Sequence, residues 1–532
     1  MKNFNLLSIL IVISSYGYSQ STTIEYLDIN NVRAGILSQG DMFHDPITLA
    51  SSYEFPKGTG KHSNFALGLW VTGMDTNNSV LHVSAQTYRQ KGSDYWTGPL
   101  DENNAYTISA VTSNNWDKIW KVNLSTIDSF KALTTHTLSN TPLSILTWPA
   151  KGNLYANGKN GFQIQVSRDM APFVDVNNDS IYNALDGDYP KIKGEQMLWW
   201  VFNDVKPHTE SGGAMSKLEI HASAYAYNSL PAIQNVTFYD FSIHYFDTIP
   251  LHNCRISIFD DVDLGYGFDD YVGCDSIRKL AIGYNGDSTD IVYGSQLTQT
   301  GLLILKKPLI SSPTGSFMTY DNTFTSFGNP TTAEHYYLLA RSKWHDSTQL
   351  TNACNGYSAG TAINYAFYDD PSIIGGVSER ACNHQPNDRR FILSTGDLTM
   401  LPNNTYEIQI AVLNTPLGSS NLTFTAIRDL ADSVFLYSSG CSNISTPDAV
   451  FYYTPSSSNM TMYPNPILDN FTIQSDSFIK EGKVEIVNSL GQIIYVHTLQ
   501  NSIQIDTHSW SKGIYYVKVY ADGELIKRTL VK

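Results

Sequence analysis

The sequence predicts a mainly β protein, with a β-sandwich body carrying a few helices and a small immunoglobulin-like β-sandwich at its C-terminus. Three observations predict this. Aromatic residues are abundant, with 33 Tyr and 9 Trp in 532 residues, and Thr, Ser and Asn are frequent, a profile that favours strands and turned loops. Short apolar runs alternate with Gly, Asn and Asp turns along most of the chain. The C-terminal segment reads as a series of period-2 strands separated by short loops, the pattern of a small antiparallel sandwich.

In chain order, Lys2 gives a positive start, Leu6–Ile13 is a short apolar run, and Gly17-Tyr18-Ser19 places small residues before a cut. Residues 1–19 are therefore expected to be a secretory signal peptide. A membrane helix needs about 20 apolar residues, and no other stretch approaches that, so no transmembrane segment is expected. Residues 20–166 form a β-rich region, with strands expected at Phe65–Trp70, Val80–Ala85 and Tyr106–Val111. One helix interrupts it, where Ser125 and Asp128 approximate a capping box ahead of Ile127, Phe130, Lys131 and Leu133.

Residues 167–441 form a second β-rich region with acidic loops. The segment from Pro172 to Pro190 leads into Met197–Phe202, an apolar run suited to a buried strand. Longer alternations at Val236–Tyr245, Arg255–Phe259, Tyr336–Ala340 and Tyr406–Val412 imply wide sheets. Ile427, Leu430, Val434 and Phe435 fall at helical spacing, and Gly440 stops that helix. A Ser, Thr and Pro-rich linker spans 442–461, and the last domain spans 462–532. There, Val484–Val487 and Ile493–Val496 flank a turn to make a hairpin, and Ser502–Ile505 and Gly513–Val519 add strands.

The order of Tyr463-Pro464-Asn465-Pro466, Asn488-Ser489-Leu490-Gly491-Gln492, Gly513-Ile514-Tyr515 and a basic last strand ending at Lys532 resembles the type A C-terminal sorting domain of the type IX secretion system of Bacteroidota-type bacteria. The resemblance implies sorting roles for Pro464, Asn465, Pro466, Gly491, Gly513 and Lys532. It also implies export across the outer membrane, removal of the domain there, and a secreted or cell-surface product. The partners expected are the export machinery, surface lipopolysaccharide and glycans. In the body, phrases such as Trp96-Thr97-Gly98-Pro99-Leu100, Asp186-Gly187-Asp188-Tyr189-Pro190 and Asp388-Arg389-Arg390-Phe391 resemble a group of large uncharacterised secreted proteins, which implies no activity.

Composition excludes some partners. With 34 Lys and Arg against 49 Asp and Glu, the net charge is −15, and the basic stripe of a nucleic-acid or anionic-membrane binder is missing. The 5 cysteines lie in an exported chain, where disulfides form. Spacing does not set their connectivity; the expected pairs, each enclosing a short loop-rich stretch, are Cys254 with Cys274 and Cys354 with Cys382, leaving Cys441.

The leading metal candidate is the loop Asp175, Asn177, Asp179, Ile181, Asn183 and Asp186. Side-chain oxygens at the first, third, fifth, ninth and twelfth positions, with a backbone carbonyl at the seventh, wrap a chain around calcium. The loop resembles those of dockerin and thrombospondin type 3 repeats, although Ser180 stands where Gly makes the sharp turn and no clear helix flanks it. A solvated loop of Asx turns is the alternative. A second cluster, Asp260, Asp261, Asp263, Asp269, Asp270 and Asp275, needs its repulsion relieved by a divalent ion, by water, or by Arg255 or Arg278.

Catalytic patterns are weaker. Gly356-Tyr357-Ser358-Ala359-Gly360 matches Gly-x-Ser-x-Gly without the strand before it and helix after it that an elbow needs. His208 and Glu210 read as loop polar groups. A glycosidase needs two acids about 5 to 10 Å apart, which the sequence does not supply. Trp70 reads as core, while Tyr95-Trp96, between Asp94 and Gly98, reads as an exposed loop pair suited to stacking on sugar rings. The favoured reading is a non-enzymatic surface protein, adhesive or scaffold-like, with structural calcium; the alternative is a secreted polysaccharide hydrolase.

Overall fold

The computed structural model describes residues 21–532 apart from 309–314, 324, 358, 419–422, 441–459, 464–466, 468, 476–481, 489–492, 501 and 522–523. Two large antiparallel sheets make the body. The ten-stranded sheet runs in the order Ile24–Leu27, Arg33–Leu37, Asp41–Met42, His62–Met74, Leu251–Val262, Arg389–Ser394 and Ser316–Asp321, with Tyr53–Glu54, Leu81–Ala85 and Leu398–Met400 attached. The nine-stranded sheet runs Trp120–Asn123, Gln196–Asn203, Leu218–Ala226, Val236–Tyr245, Thr405–Gly418, Leu297–Lys306, Leu280–Asn285 and Asp270–Asp275, with Trp96–Thr97 beside Gln196–Asn203.

Strands from before and after residue 166 interleave in both sheets. His62–Met74, for instance, pairs with Leu251–Val262, placing Leu67 opposite Asp260. One unit therefore runs to Gly273 and resumes over Ala281–Thr423, and a second holds Cys274–Leu280 with Phe424–Lys532.

The apolar run at Met197–Phe202 lies in Gln196–Asn203, every residue of which is buried. A strand covered on both faces needs no alternation. Trp199 packs against Trp120 and Trp148, with ring centroids 5.7 and 6.4 Å apart, and Trp70, Trp116, Trp120 and Trp148 are all buried. The tryptophan-rich first half is thus mostly core. The expected helix forms at Leu124–Lys131 and turns Ile127 and Phe130 inward, but it starts from Asn123, whose side chain makes no capping bond.

One expected strand is a helix and another is a loop that runs into one. Ala110–Asn115 starts where Ser109 accepts from the Thr112 N–H, so the run Tyr106–Val111 ends in a cap rather than a strand. Ala333–Leu339 starts where Thr332 accepts from His335 and has Glu334 in its first turn. Short apolar runs do not separate strand from buried helix by periodicity, and the caps decide. The helix Thr425–Gly440 lies where expected, with Ile427, Ala431 and Val434 buried.

The C-terminal domain has a three-stranded sheet of Met460–Tyr463, Asn470–Ser475 and Ser502–Asp506, and a four-stranded sheet of Ile493–Thr498, Gly482–Asn488, Ile514–Ala521 and Glu524–Val531. Phe471, Ile473, Val484, Ile486, Val517 and Leu530 share its core, as an immunoglobulin-like sandwich requires. The expected hairpin sets Ile486 opposite Tyr495. Gly513 and Lys532 exchange two backbone hydrogen bonds, at 3.0 and 2.9 Å. Pro464, Asn465, Pro466 and Gly491 lie outside the described residues.

Cys354 and Cys382 form the expected disulfide. Cys254 and Cys274 do not: both are buried outside any disulfide, because Cys254 sits on Leu251–Val262 in one large sheet and Cys274 on Asp270–Asp275 in the other. Cys441 lies outside the described residues.

Candidate functional site

The loop from Asp175 to Asp186 folds back on its own backbone. Asp175 accepts from the N–H groups of Asn178 at 2.7 Å, Asp179 at 3.3 Å and Ser180 at 2.8 Å. Asp179 accepts from Ile181 N–H and Asn183 from Leu185 N–H, at 2.8 and 3.1 Å, while the Asn183 amide donates to Asp186 at 2.7 Å. Asn178 and Ser180 hold φ values of 62° and 65°, so Ser180 takes the left-handed turn at the position where Gly is usual. The sequence reading missed Asp188. Its two oxygens accept from Val176 and Asn183 N–H groups across the loop, at 2.8 and 2.9 Å. Burial, reinforced by Asp175 and Asp179, pushes its carboxyl above the usual range.

The second acidic cluster separates into distinct environments. Asp275 pairs with Arg278 at 2.9 Å and Arg428 at 2.8 Å, and Arg278 also grips Asp432; Arg278 thus supplies the expected neutralisation. Arg255 goes elsewhere, to Asp397 at 2.8 Å. Asp270 accepts from Leu264 N–H at 2.9 Å. Asp269, partly buried near Asp290 and Asp287, is pushed up to about 6, burial being the main cause. Asp260 accepts from the Asn64 amide at both oxygens. Asp261 and Asp263 meet Asp388, a residue not grouped with them from sequence, and oxygens of all three lie within 4.8 Å of one another. Burial and mutual repulsion raise the Asp261 and Asp263 carboxyls.

A pocket of about 130 Å³ opens beside the strand Ser316–Asp321, among loops that carry the disulfide. Its walls include Tyr320, Phe327, Trp344 and Phe367, and its polar groups include Asp321, Glu379 and Arg389. Phe327 stands edge-on to Trp344 and Tyr357, at centroid distances of 4.8 and 5.1 Å, and is 40% exposed. Trp344 is fixed by its indole N–H donating to Gly356 carbonyl at 2.8 Å. Glu379 lies 3.0 Å from Arg389 Nε and 3.3 Å from His384 Nδ1 and accepts from Val272 N–H at 2.7 Å. The other His384 nitrogen meets the Cys354 carbonyl at 2.8 Å. Contacts of this kind hold polar groups in fixed orientations.

The exposed pair expected at Tyr95-Trp96 is absent. Tyr95 has no exposed surface, donates to the Ser84 carbonyl at 3.0 Å and packs on Phe202, while Trp96 lies in a short strand paired with Asn203. Asp94 explains the difference: it accepts from Ala85 and Glu210 N–H groups, at 3.0 and 2.9 Å, and draws the segment inward. Both His208 nitrogens meet backbone carbonyls, at 2.6 and 2.8 Å. Glu210 accepts from Thr87, Lys91, Gly92 and Tyr336. Gly356 and Gly360 lie in turns with positive φ, and Ser358 lies outside the described residues.

Residues 461–532 match the family described as the secretion system C-terminal sorting domain. The chain is a cargo of the type IX secretion system, secreted or held at the cell surface. Among the described residues, no helix is long and apolar enough to cross a membrane. An ulvan lyase of Nonlabens ulvanivorans is 39% identical over 70 residues, which is 13% of this chain and 13% of the lyase. Of the solved structures, a polysaccharide lyase overlaps 61% of this chain and 35% of its own length at 8% identity, with a TM-score of 0.21, too low to bear on the body's fold. The chain thus spans only a small part of the lyases it matches.

Proposed function

We propose that this exported chain is a non-enzymatic adhesion or binding protein of the cell exterior. A structural calcium ion in the loop Asp175–Asp186 stiffens its body, and the pocket beside Phe327 and Trp344 takes the sugar units of surface glycans, lipopolysaccharide included. The observation that carries the reading is the make-up of that pocket: aromatic side chains at its rim and walls, and a few polar groups already locked in place. Saccharides are held by apolar stacking on rings and by a small number of fixed hydrogen-bonding groups. The calcium reading rests on oxygen donors at the spacing of a calcium loop and on the left-handed turn at Ser180.

Affinity electrophoresis through gels containing polysaccharides or lipopolysaccharide tests the pocket. Phe327 is exposed enough to be removed without opening the core. Truncating an aromatic anchor costs about 2 kcal/mol, so Phe327→Ala is expected to lose about thirtyfold in retention constant. Equal retention of the wild type and Phe327→Ala by every retarding glycan rules the pocket out.

A further inference from the structure

Asp261 lies on the strand Leu251–Val262 opposite Arg390 of the neighbouring strand. Asp263 is the first residue past the end of that strand, and Asp388 immediately precedes Arg389–Ser394. Strand pairing therefore carries three carboxylates to one sheet end, with oxygens within 4.8 Å of one another. Gly267 permits the approach, since a Cβ there would fall 2.0 Å from Asp263 Oδ1.

Among the described residues, Arg390 is the cation ion-paired with this group. Arg390 Nε stands 3.1 Å from Asp261 Oδ1, and Nη2 stands 3.6 Å from Asp388 Oδ2. The same guanidinium also serves neutral groups: Nη1 donates to Asn322 and Asn329, and Nη2 donates to Tyr88 Oη at 3.2 Å. With all three acids ionised, two negative charges remain. Independently of the charge count, Asp388 Oδ1 is buried without a donor, while Asp261, only 2% exposed, meets Arg390 at its Oδ1. Buried acceptors are almost always satisfied, and Asp388 belongs to the group whose oxygens converge.

We propose that Asp261, Asp263 and Asp388 form a second divalent-cation site, for calcium, that ties the end of Leu251–Val262 to the segment entering Arg389–Ser394. The donors are all carboxylate oxygens, the hard ligands that calcium takes in irregular geometry. A divalent ion cancels the charge that Arg390 leaves and satisfies the orphaned Asp388 acceptor. Without the ion, protons must do this, in keeping with the raised carboxyls of Asp261 and Asp263.

The test uses the full chain carrying Asp175→Ala and Asp179→Ala, which disables the other loop. Calorimetric titration with calcium is expected to show binding, and calcium is expected to raise the melting midpoint relative to chelator. Adding Asp263→Asn is expected to weaken binding at least about tenfold and to abolish the melting response. It is also expected to leave the midpoint in chelator no lower than the parent's, because one repelling charge is gone. A packing role for Asp263 would instead lower both midpoints and leave the calcium response in place, which overturns the proposal, as does a parent that neither binds calcium nor responds to it. If the Asp263→Asn chain does not fold, terbium decides. Tyr88 lies beside Arg390 and should sensitise emission from an ion at this site, so the proposal expects emission that calcium displaces and Tyr88→Phe weakens; no such emission overturns it.

Discussion

Asn64 donates its side-chain amide to both oxygens of Asp260, at 2.9 and 3.1 Å, and neither side chain has exposed surface. The Asn64 carbonyl oxygen in turn accepts from Thr300 and Ser63, each at 2.9 Å. Ser63 reaches Asn414 at 2.7 Å, and Asn414 donates to Tyr53 Oη at 2.9 Å. This chain of polar groups crosses from the ten-stranded to the nine-stranded sheet and ties the two faces together.

That arrangement makes stability depend on pH. Burial, aided by Asp261 and opposed by Asn64, pushes Asp260 up to about 8 from an ordinary 3.8. The folded state then holds a proton that the unfolded state releases, so stability contributed by this group is full below about pH 4 and falls as pH rises towards about 8. In chelator, Asp260→Asn should flatten the melting midpoint against pH across this window by one proton's contribution. An unchanged slope means that Asp260 is ionised in the folded protein.

Chelation of the full chain should lower its melting midpoint, and Asp175→Ala with Asp179→Ala should remove the part due to the loop. Ser180, at a φ of 65°, strains a position that Gly occupies freely. Ser180→Gly should therefore stabilise the protein by about 1 kcal/mol and keep its calcium response. Identical melting of the wild type and the double alanine variant, with and without chelator, leaves the loop a solvated turn.

The thiols give a third check. Burial pushes Cys254 up to about 12, so little thiolate exists near neutrality. Alkylation followed by peptide mapping should find Cys254 and Cys274 protected until unfolding, and Cys354 joined to Cys382. Rapid labelling of Cys254 in the native protein contradicts its placement in the strand.

For export, deleting 461–532 should leave the body in the periplasm, and grafting the linker and sorting domain onto an inert reporter should send the reporter out. The paired hydrogen bonds of Gly513 and Lys532 close the ladder of the last two strands. Gly513→Pro removes one donor and forces a different φ, so the grafted reporter should be retained. Normal secretion of that variant means that the closure is dispensable.

Much of the architecture was legible because it is local. Alternation located Val236–Tyr245, a continuous apolar run located the doubly covered strand at Trp199, and ordered motifs identified the sorting domain. Tyr336–Ala340 was misread because five apolar residues fit strand and helix alike, and Thr332 decided the outcome. Site geometry was less accessible, since it depends on pairing. Asp388 joins Asp261 only through the ladder that sets Asp261 opposite Arg390, although Asp388 and Arg390 already stood in one recognisable phrase. Tyr95 was misplaced because nothing local reveals that Asp94 would cap two distant backbone segments. The pocket residues Asp321, Trp344 and Glu379 share no spacing, and only the disulfide at Cys354 and Cys382 hinted that their loops converge.

Whether the body binds or cleaves is tested most directly by following reducing-end release from the glycan that retards it best, in the same samples used for electrophoresis. The account predicts reversible retardation, weakened by Phe327→Ala, with no release above the protein-free blank over prolonged incubation. Time-dependent release that is abolished by Glu379→Gln or Asp321→Asn while retardation persists would contradict it and make the pocket a hydrolytic site.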